Sequence, residues 1–348
     1  MKKQIKINWS CCWPDTTFEK LKERFFYNLD DKYEFVVSDD PDFIFVMFYS
    51  SDFSFLNNRK AVRIFYTHEN IHPNFQQFDY CIGYNSNLSF GDRYYYYLST
   101  AYTLKELLGK DLLFEEVSKE SAKEILKSKT NFCDFIYNHD REDKKRKYYF
   151  DLLSQYKPVS NFGQVYNMEK VKRFVYDFNK KMSDQKTCKF SIIVESSEGS
   201  RGLITEKIFH SIYNGNIPIY FGEDNIEDIV NPKRFINAKK YSDEELLKLV
   251  KEIDEDDEKF INIITEPALK DKYFLQKMDK GLTEYFDHIF SQSREEAWRR
   301  PADNFFSMYL DDILEPCNKY YNNWFRKKKR RITKAIKRRL GYKVHEGF

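Results

Sequence analysis

The feature that most constrains the fold is a regular alternation of short apolar runs with longer, helix-like stretches. The runs are rich in β-branched and aromatic residues, which is typical of buried parallel strands. They predict strands at Ile5–Trp9, Phe43–Phe48, Val62–Thr67, Tyr80–Gly83, Phe132–Tyr137, Phe190–Val194 and Ile217–Phe221. Helical spacing of apolar residues predicts helices at Thr17–Asn28, Arg141–Gln155, Leu203–Tyr213, Lys239–Ile253 and Ser293–Ile313. Strands that alternate with helices indicate a layered α/β fold.

The length of 348 residues indicates two domains, at roughly 150 residues per domain. A hydrophobic fraction of 41% excludes general disorder. The helix predicted at Arg141–Gln155 has Tyr148, Leu152 and Leu153 on its inner face. Pro158 and Gly163 mark a break after this helix. We therefore predict domains at 1–157 and 158–318, followed by a tail at 319–348.

The charge is distributed unevenly along the chain. The net charge is only +3, yet the segment Arg326–Arg339 holds ten basic residues and no acidic ones, so the rest of the chain sums to 3 minus 10, or −7. Ile332, Ile336 and Leu340 recur every four residues in this tail, as in a basic amphipathic helix at an anionic membrane surface. A nucleic-acid-binding arm and a solvated terminus are the alternatives, and the membrane is favoured over nucleic acid.

No apolar run reaches the roughly 20 residues that a membrane-spanning helix needs, and the first residues do not resemble a secretory leader. We expect a cytoplasmic protein that associates peripherally with the inner face of the cytoplasmic membrane. The six cysteines form no CxxC pair, so neither disulfides nor a zinc site is expected.

The segment FSIIVESSEGSRGLITEKIF carries the most informative chemistry. A buried strand ends before Glu195, a glycine-containing loop follows, and a helix opens near Ile204, so the helix N-terminus can face an anion. Arg201 and Lys207 add positive charge, while Glu195 and Glu206 can accept hydrogen bonds from hydroxyl groups. This pattern suits a sugar nucleotide. The alternative is that Thr205 and Glu206 only cap the helix and Lys207 is solvated.

Several blocks resemble the bacterial α1,3-fucosyltransferase family, glycosyltransferase family 10. The blocks are FYTHENIHPNFQQFDYCIGYN, NFCDFIYNHD, SQYKPV, TEK, NGNIPIYFG and NPKRFIN, against family patterns FYTGENxxPNFxxFDYAIGFD, NFCAFVVSN, SYxPV, VTEK, TIPIYWG and NPKSFVN. The resemblance implies a GT-B type α/β fold, with two Rossmann-like domains facing a central cleft and, here, a basic C-terminal helical tail. It also implies an inverting transfer from GDP-fucose that needs no metal or other cofactor.

The resemblance assigns roles to individual residues. The general base falls on Glu69, with His68 and Asn70 on the acceptor side, and the donor contacts fall on Thr205, Glu206 and Lys207. Further donor contacts are expected from Glu195, Ser197 and Arg201.

Three departures from the family patterns concern the donor side. Leu203 replaces an aromatic residue, Ser196 replaces an asparagine, and a family arginine expected near Gln164 is missing, with Arg201 or Lys172 as possible replacements.

The acceptor is expected to be an N-acetylglucosamine-containing or similar cell-surface glycan, of lipopolysaccharide or capsule type. GDP-mannose or GDP-heptose as donor, and a non-catalytic sugar-nucleotide-binding protein, are the alternatives. His68 is a rival base, although the family has glycine there. The Asp-x-Asp triplets at 40–42 and 254–256 are interpreted as a turn and a surface run, and the Tyr94–Tyr97 run could stack on sugar rings.

Overall fold

The computed structural model of the chain describes residues 2–11, 17–47, 53–67, 69–98, 101–138, 144–165, 177–195, 202–301, 310–316 and 319. The chain divides into two compact units. The first unit consists of residues 1–102 and 278–348, and the second consists of residues 103–277.

The strands of the described residues all belong to two sheets. They are β1 (Lys3–Cys11), β2 (Tyr33–Val37), β3 (Phe43–Met47), β4 (Val62–Tyr66), β5 (Tyr80–Gly83), β6 (Tyr94–Tyr96), β7 (Asn131–Phe135), β8 (Val159–Asn161), β9 (Cys188–Val194), β10 (Ile217–Phe221) and β11 (Ile236–Asn237).

The α-helices of the same residues are α1 (Phe18–Leu21), α2 (Ala101–Leu108), α3 (Lys119–Lys127), α4 (Lys145–Ser154), α5 (Phe178–Lys186), α6 (Glu206–Tyr213), α7 (Ile226–Ile229), α8 (Asp243–Asp254), α9 (Asp257–Ile264), α10 (Phe274–Ser291) and α11 (Arg294–Ala297). A π-helical turn (Lys22–Phe26) and a 3-10 turn (Tyr27–Leu29) continue α1, and residues 310–316 are also helical.

The first unit contains a parallel sheet with the order β2-β1-β3-β4-β5-β6. Aromatic side chains fill its core on the side covered by α10. Phe286 and Phe290 are fully buried and contact Phe26 with ring centroids 4.9 and 5.6 Å away. The chain therefore returns to the first unit within α10, because the second half of this helix completes that core.

The second unit contains a parallel sheet with the order β11-β10-β9-β7-β8. β9 lies at its centre, is buried along most of its length, and pairs with β10 from Ile217 opposite Phe190 to Phe221 opposite Val194. Because the strands are parallel, their carboxyl ends meet at one edge. The loop from β9 to α6 starts at that edge.

The predicted α/β fold is confirmed, but the domain boundary differs from the prediction. The first unit ends near residue 102 and not at 157, because β7 and β8 pair with β9 in the second sheet. The predicted second domain, 158–318, also ran too far, since the chain re-enters the first unit at Met278.

Two local predictions also need correction. In α4 the inner face holds Tyr149 with Leu152 and Leu153, whereas Tyr148 is 43% exposed. The first three residues of the Tyr94–Tyr97 run form strand β6, which packs within the first unit. The Tyr95 hydroxyl donates to the Met278 carbonyl, and its ring stacks on Tyr285. Packing therefore accounts for Tyr95, which leaves stacking on sugars without support there.

Cys81, Cys133 and Cys188 are free and buried. None of the described helices is long and apolar enough to cross a membrane.

Candidate active site

The loop between β9 and α6 is anchored by two buried carboxylates. Glu195 directly follows β9, and its Oε1 accepts hydrogen bonds from the backbone N–H of Thr205 at 2.9 Å and from the Thr205 hydroxyl at 2.8 Å. Glu223 follows β10 and accepts from the N–H of Gly202 at 2.9 Å. Gly202 has a φ of 101°, a conformation that favours glycine. The loop is therefore fixed where it enters α6.

Lys207 is held by a short chain of hydrogen bonds. Its Nζ donates to Thr205 Oγ1 at 2.8 Å and lies 3.4 Å from Glu195 Oε2, which also accepts from the Thr205 hydroxyl at 2.8 Å. The Glu195 side chain has no exposed surface, whereas that of Lys207 is 23% exposed. Glu195 thus orients Lys207 through Thr205, and this geometry fits a positioning role better than the direct donor contact predicted for Glu195.

Two backbone N–H groups just before α6 are engaged by buried carboxylates. Glu195 accepts from the N–H of Thr205, the N-cap residue of α6, and Glu223 accepts from the N–H of Gly202 in the loop before it. The sequence predicted that free N–H groups would face an anion here. For the N–H groups of the first turn of α6 this stays a prediction, because the two that Glu195 and Glu223 engage precede the helix.

A cavity of 230 Å³ in the second unit brings several charged groups together. It is lined by Lys207 and Glu206 of α6, Lys181 of α5 and Arg146 of α4, with Asp134 and Tyr137 from the β7 region. Arg146 is 7% exposed, and its guanidinium lies 4.3 Å from the centre of the Tyr137 ring. Two permanent cations, Arg146 and Lys207, thus share one cavity.

Arg146 was missed because its sequence context, KKRK, is typical of a solvated charge run. A signal was present, since Arg146 lies three and seven residues before the buried Tyr149 and Leu153, on the inner face of α4. The family arginine is expected near Gln164 and is missing there, and the sequence offers Arg201 or Lys172 in its place. Arg146 is the arginine that the described residues place in this cavity.

Electrostatic interactions keep Glu206 and Lys207 ionised. Burial acts to raise the pKa of Glu206, but Lys207 and Lys181 outweigh it and lower the pKa to about 2. Burial acts to lower the pKa of Lys207, but Glu195 and Glu206 outweigh it, so this pKa is raised. At neutral pH the site therefore presents one carboxylate and one ammonium side by side.

Two other titratable groups are buried in the same region. Burial, then the nearby Lys181, lowers the pKa of His210 to about 3, so its ring is neutral; its Nδ1 lies 3.0 Å from Lys181 Nζ. Burial raises the pKa of Asp134 to about 7, although Ser191 and Asn216 donate hydrogen bonds to its Oδ2 at 2.6 and 3.2 Å.

The candidate base Glu69 lies in the first unit, just after β4. The hydroxyl of Thr67 accepts from the Glu69 N–H at 3.1 Å and donates to the Glu69 carbonyl at 3.2 Å, while the N–H of Ile71 donates to the same carbonyl at 2.7 Å. These bonds fix the backbone of the loop, and Glu69 stays partly exposed. Its neighbour Asn70 is exposed and accepts from the Tyr84 hydroxyl at 2.6 Å.

Several predicted residues lie outside the described residues, namely His68, Ser197, Arg201, Ser196, Lys172 and the tail segment 324–340. Leu203 is described and is 2% exposed, so it packs inside the second unit.

The aspartates of the two Asp-x-Asp triplets lie in a turn, in ion pairs or at a helix cap. Asp40 and Asp42 lie in the turn before β3, Asp254 pairs with Lys157 and Lys189, and Asp256 caps α9.

Comparison with known proteins identifies the family. The model of glycosyltransferase family 10 (fucosyltransferase) C-term matches residues 126–265, and the model of the alpha-(1,3)-fucosyltransferase FucT N-terminal domain matches residues 7–102. The chain belongs to glycosyltransferase family 10. The two matches fall one in each compact unit, so Glu69 lies in the family's N-terminal part and Arg146, Glu206 and Lys207 lie in its C-terminal part.

Individual relatives agree with this membership in glycosyltransferase family 10. Alpha-(1,3)-fucosyltransferase FucT of Helicobacter pylori is 26% identical over 321 residues, covering 82% of this chain and 66% of that protein. An alpha-(1,4)-fucosyltransferase of Arabidopsis thaliana is 36% identical over 69 residues, covering 20% of this chain and 17% of that protein. The chain thus spans under two thirds of the length of these curated relatives.

A solved α1,3-fucosyltransferase shares the fold, with a TM-score of 0.65, 24% identity, and coverage of 84% of this chain and 91% of that one. The expected family 10 fold, with two α/β units that each contain a parallel sheet, is therefore confirmed.

Proposed function

We propose that the chain is a fucosyltransferase that moves L-fucose from GDP-fucose to a hydroxyl group of a glycan, with inversion at the anomeric carbon. The observation that carries this proposal is the cavity in which Arg146 and the hydrogen-bonded Lys207 meet the ionised Glu206. Family membership adds support, and one solved α1,3-fucosyltransferase of similar fold was crystallised with GDP-fucose.

The proposed donor site uses positive charge where negative charge develops. As the bond between the anomeric carbon and the phosphate oxygen breaks, the electron pair stays on the departing GDP. Lys207 and Arg146 would stabilise that charge, because both are oriented before the reaction, one by Thr205 and the other by Tyr137. The Glu206 carboxylate would accept hydrogen bonds from donor hydroxyl groups and stabilise positive charge on the sugar ring.

The proposed acceptor site uses Glu69 as general base. The carboxylate would remove the proton from the acceptor hydroxyl while the oxygen attacks the anomeric carbon from the side opposite GDP. Such catalysis contributes about 10² to 10⁴-fold to the rate. The loop fixed by Thr67 would hold this carboxylate in place.

The acceptor in this proposal is an N-acetylglucosamine-containing cell-surface glycan or glycolipid, of lipopolysaccharide or capsule type. A screen of GDP-fucose, GDP-mannose and GDP-heptose against N-acetyllactosamine and lactose, with products analysed by mass spectrometry and NMR, tests donor, acceptor and linkage together. An α-fucoside formed only from GDP-fucose is expected. Transfer from another GDP-sugar would change the donor, and GDP binding without any transfer would indicate a non-catalytic sugar-nucleotide-binding protein.

We also propose that the tail segment 324–340 binds an anionic membrane surface and holds the enzyme on the cytoplasmic face of the membrane. The support is compositional: ten basic residues between Arg326 and Arg339, each contributing about 1 kcal/mol near such a surface. Co-sedimentation with phosphatidylserine vesicles should be lost when Lys327, Lys328 and Lys329 are changed to glutamine. Binding to a DNA duplex and not to the vesicles would favour the nucleic-acid alternative.

A further inference from the structure

The hydroxyl group of Tyr84 has a specific partner beside the candidate base. Tyr84 directly follows β5 and is 1% exposed, and its hydroxyl donates to Asn70 Oδ1 at 2.6 Å. The hydroxyl is therefore a buried polar group that is satisfied by a hydrogen bond, as buried polar groups in folded proteins generally are.

This bond determines which part of the Asn70 side chain remains available. A carboxamide has one oxygen acceptor and an NH₂ group with two donors. The Tyr84 hydroxyl engages the oxygen and restricts the plane of the amide, so the NH₂ group points away from Tyr84. Asn70 is exposed, and it follows Glu69, whose backbone is fixed on both sides by Thr67.

We propose that Asn70 binds the acceptor sugar through its NH₂ group and that Tyr84 is a positioning residue that aims this group. The inference rests on the proposed function. The ligand is a sugar ring that carries an oxygen acceptor, either a hydroxyl or an acetamido carbonyl, next to the reacting hydroxyl. With that oxygen held by Asn70 and the reacting hydroxyl beside Glu69, the acceptor is bound at two points, and a two-point contact fixes its orientation.

The test compares acceptor kinetics of four variants with those of the wild type, using GDP-fucose with N-acetyllactosamine or lactose. Asn70→Asp keeps the oxygen that Tyr84 engages but removes the NH₂ donors, and Asn70→Ala removes both. Tyr84→Phe removes only the hydroxyl, and the fourth variant combines Tyr84→Phe with Asn70→Ala. Tyr94→Phe is the matched control, because it removes a tyrosine hydroxyl that donates to the Asn85 carbonyl at 2.9 Å in the same unit.

We expect both Asn70 variants to raise the acceptor KM about tenfold, as for one lost hydrogen bond of about 1.4 kcal/mol, with the GDP-fucose KM unchanged. Tyr84→Phe should raise the acceptor KM by a smaller factor and have no further effect in the Asn70→Ala background, while Tyr94→Phe leaves it unchanged. An effect confined to N-acetyllactosamine identifies the acetamido carbonyl as the partner, and an equal effect on lactose identifies a hydroxyl.

The inference alone is overturned by an unchanged acceptor KM in Asn70→Asp, or by a Tyr84→Phe effect of equal size with and without Asn70. A lower melting temperature for Tyr84→Phe with unchanged acceptor KM would assign the bond a purely structural role and also overturn it. Absence of fucose transfer by the wild type to either probe, by contrast, contradicts the proposed function on which the inference rests.

Discussion

At the scale of single residues, the proposed donor site depends on how Lys207 is held. The Thr205 hydroxyl orients its ammonium group, and Glu195 and Glu206 raise the pKa of that group, so it stays charged. Lysine is a flexible side chain, so a fixed ammonium has paid its ordering entropy before a diphosphate arrives. Glu195 is what distinguishes Thr205 and Lys207 from the cap and first turn of an ordinary helix, because it accepts a hydrogen bond from the Thr205 hydroxyl that orients Lys207.

Lys207→Gln should therefore weaken GDP binding about 10- to 100-fold, the loss of a charge-assisted hydrogen bond. Isothermal titration calorimetry with GDP measures this, with thermal denaturation to confirm folding. Lys248→Gln, which changes an exposed lysine of α8, is the matched control. Equal GDP affinity of Lys207→Gln and the wild type would place the diphosphate elsewhere.

Asp134 should make the stability of the protein depend on pH. Its pKa is raised from 3.8 to about 7, so the folded state binds the proton more tightly than the unfolded state. The free energy of unfolding should then fall as pH rises from about 4 to 7, the window between these two pKa values. In Asp134→Asn this fall should be smaller, whereas in Asp228→Asn, an exposed aspartate of α7, it should persist. Urea denaturation at several pH values measures this free energy. The same pH dependence of unfolding free energy in all three proteins would contradict the raised pKa of Asp134.

At the scale of secondary-structure elements, two buried ion pairs attach the C-terminal segment, meaning here residues 299–301 and 310–316, to the first sheet. Arg63 of β4 makes a bidentate pair with Asp311 at 2.8 and 2.6 Å, and Arg300 pairs with Asp79 at 3.0 Å. The backbone N–H groups of Arg299 and Arg300 donate to the same aspartate at 2.9 and 2.8 Å. This segment is thus part of the first unit and not an appendage.

Asp311→Ala should cost about 3 kcal/mol or more of unfolding free energy, because it leaves the buried Arg63 guanidinium without its carboxylate. The neighbouring Asp312→Ala is a close control, since Asp312 is 60% exposed and pairs with a half-exposed Arg59. That change should cost less than about 1 kcal/mol. Guanidinium denaturation of both variants tests the difference, and similar losses would contradict the role given to Asp311.

The sequence predicted central strands well and edge elements poorly. β9 and β10 are buried apolar runs, so their pattern is unambiguous. β2 was missed because Tyr33–Val37 lies at a sheet edge and is only partly buried, and the charged Glu34 interrupts its apolar residues. Arg146 was missed because the pattern of charges does not reveal which member of a basic run turns inward.

At the scale of the whole molecule, the division into two units follows from contacts that sequence spacing does not encode. The return of the chain at Met278 depends on Phe286 and Phe290 completing an aromatic core with Phe26, some 260 residues earlier in the chain. Pro158 and Gly163 do break the chain, but the break lies inside the second unit. Family resemblance supplied the order of the two parts and their roles, whereas the alternation of apolar runs with helix-like stretches supplied only the fold class.

If the cations of the proposed donor site supply the charge that a divalent ion supplies in other transferases, chelation of divalent ions should leave turnover unchanged. Turnover in EDTA should equal turnover in Mg²⁺ or Mn²⁺, because Lys207 and Arg146 already face the proposed diphosphate position. Initial rates with GDP-fucose under the three conditions measure this. A loss of activity in EDTA that Mn²⁺ restores would require a metal in the mechanism.

The most direct measurement of the central claim is the turnover number of Glu69→Gln beside its GDP affinity, with Glu34→Gln, an exposed glutamate of the first unit, as control. Removal of a general base lowers the rate by about 100-fold or more, while the donor site proposed in the second unit should keep its GDP affinity. The account predicts that combination for Glu69→Gln and wild-type values for Glu34→Gln. Turnover of Glu69→Gln equal to that of the wild type would contradict it.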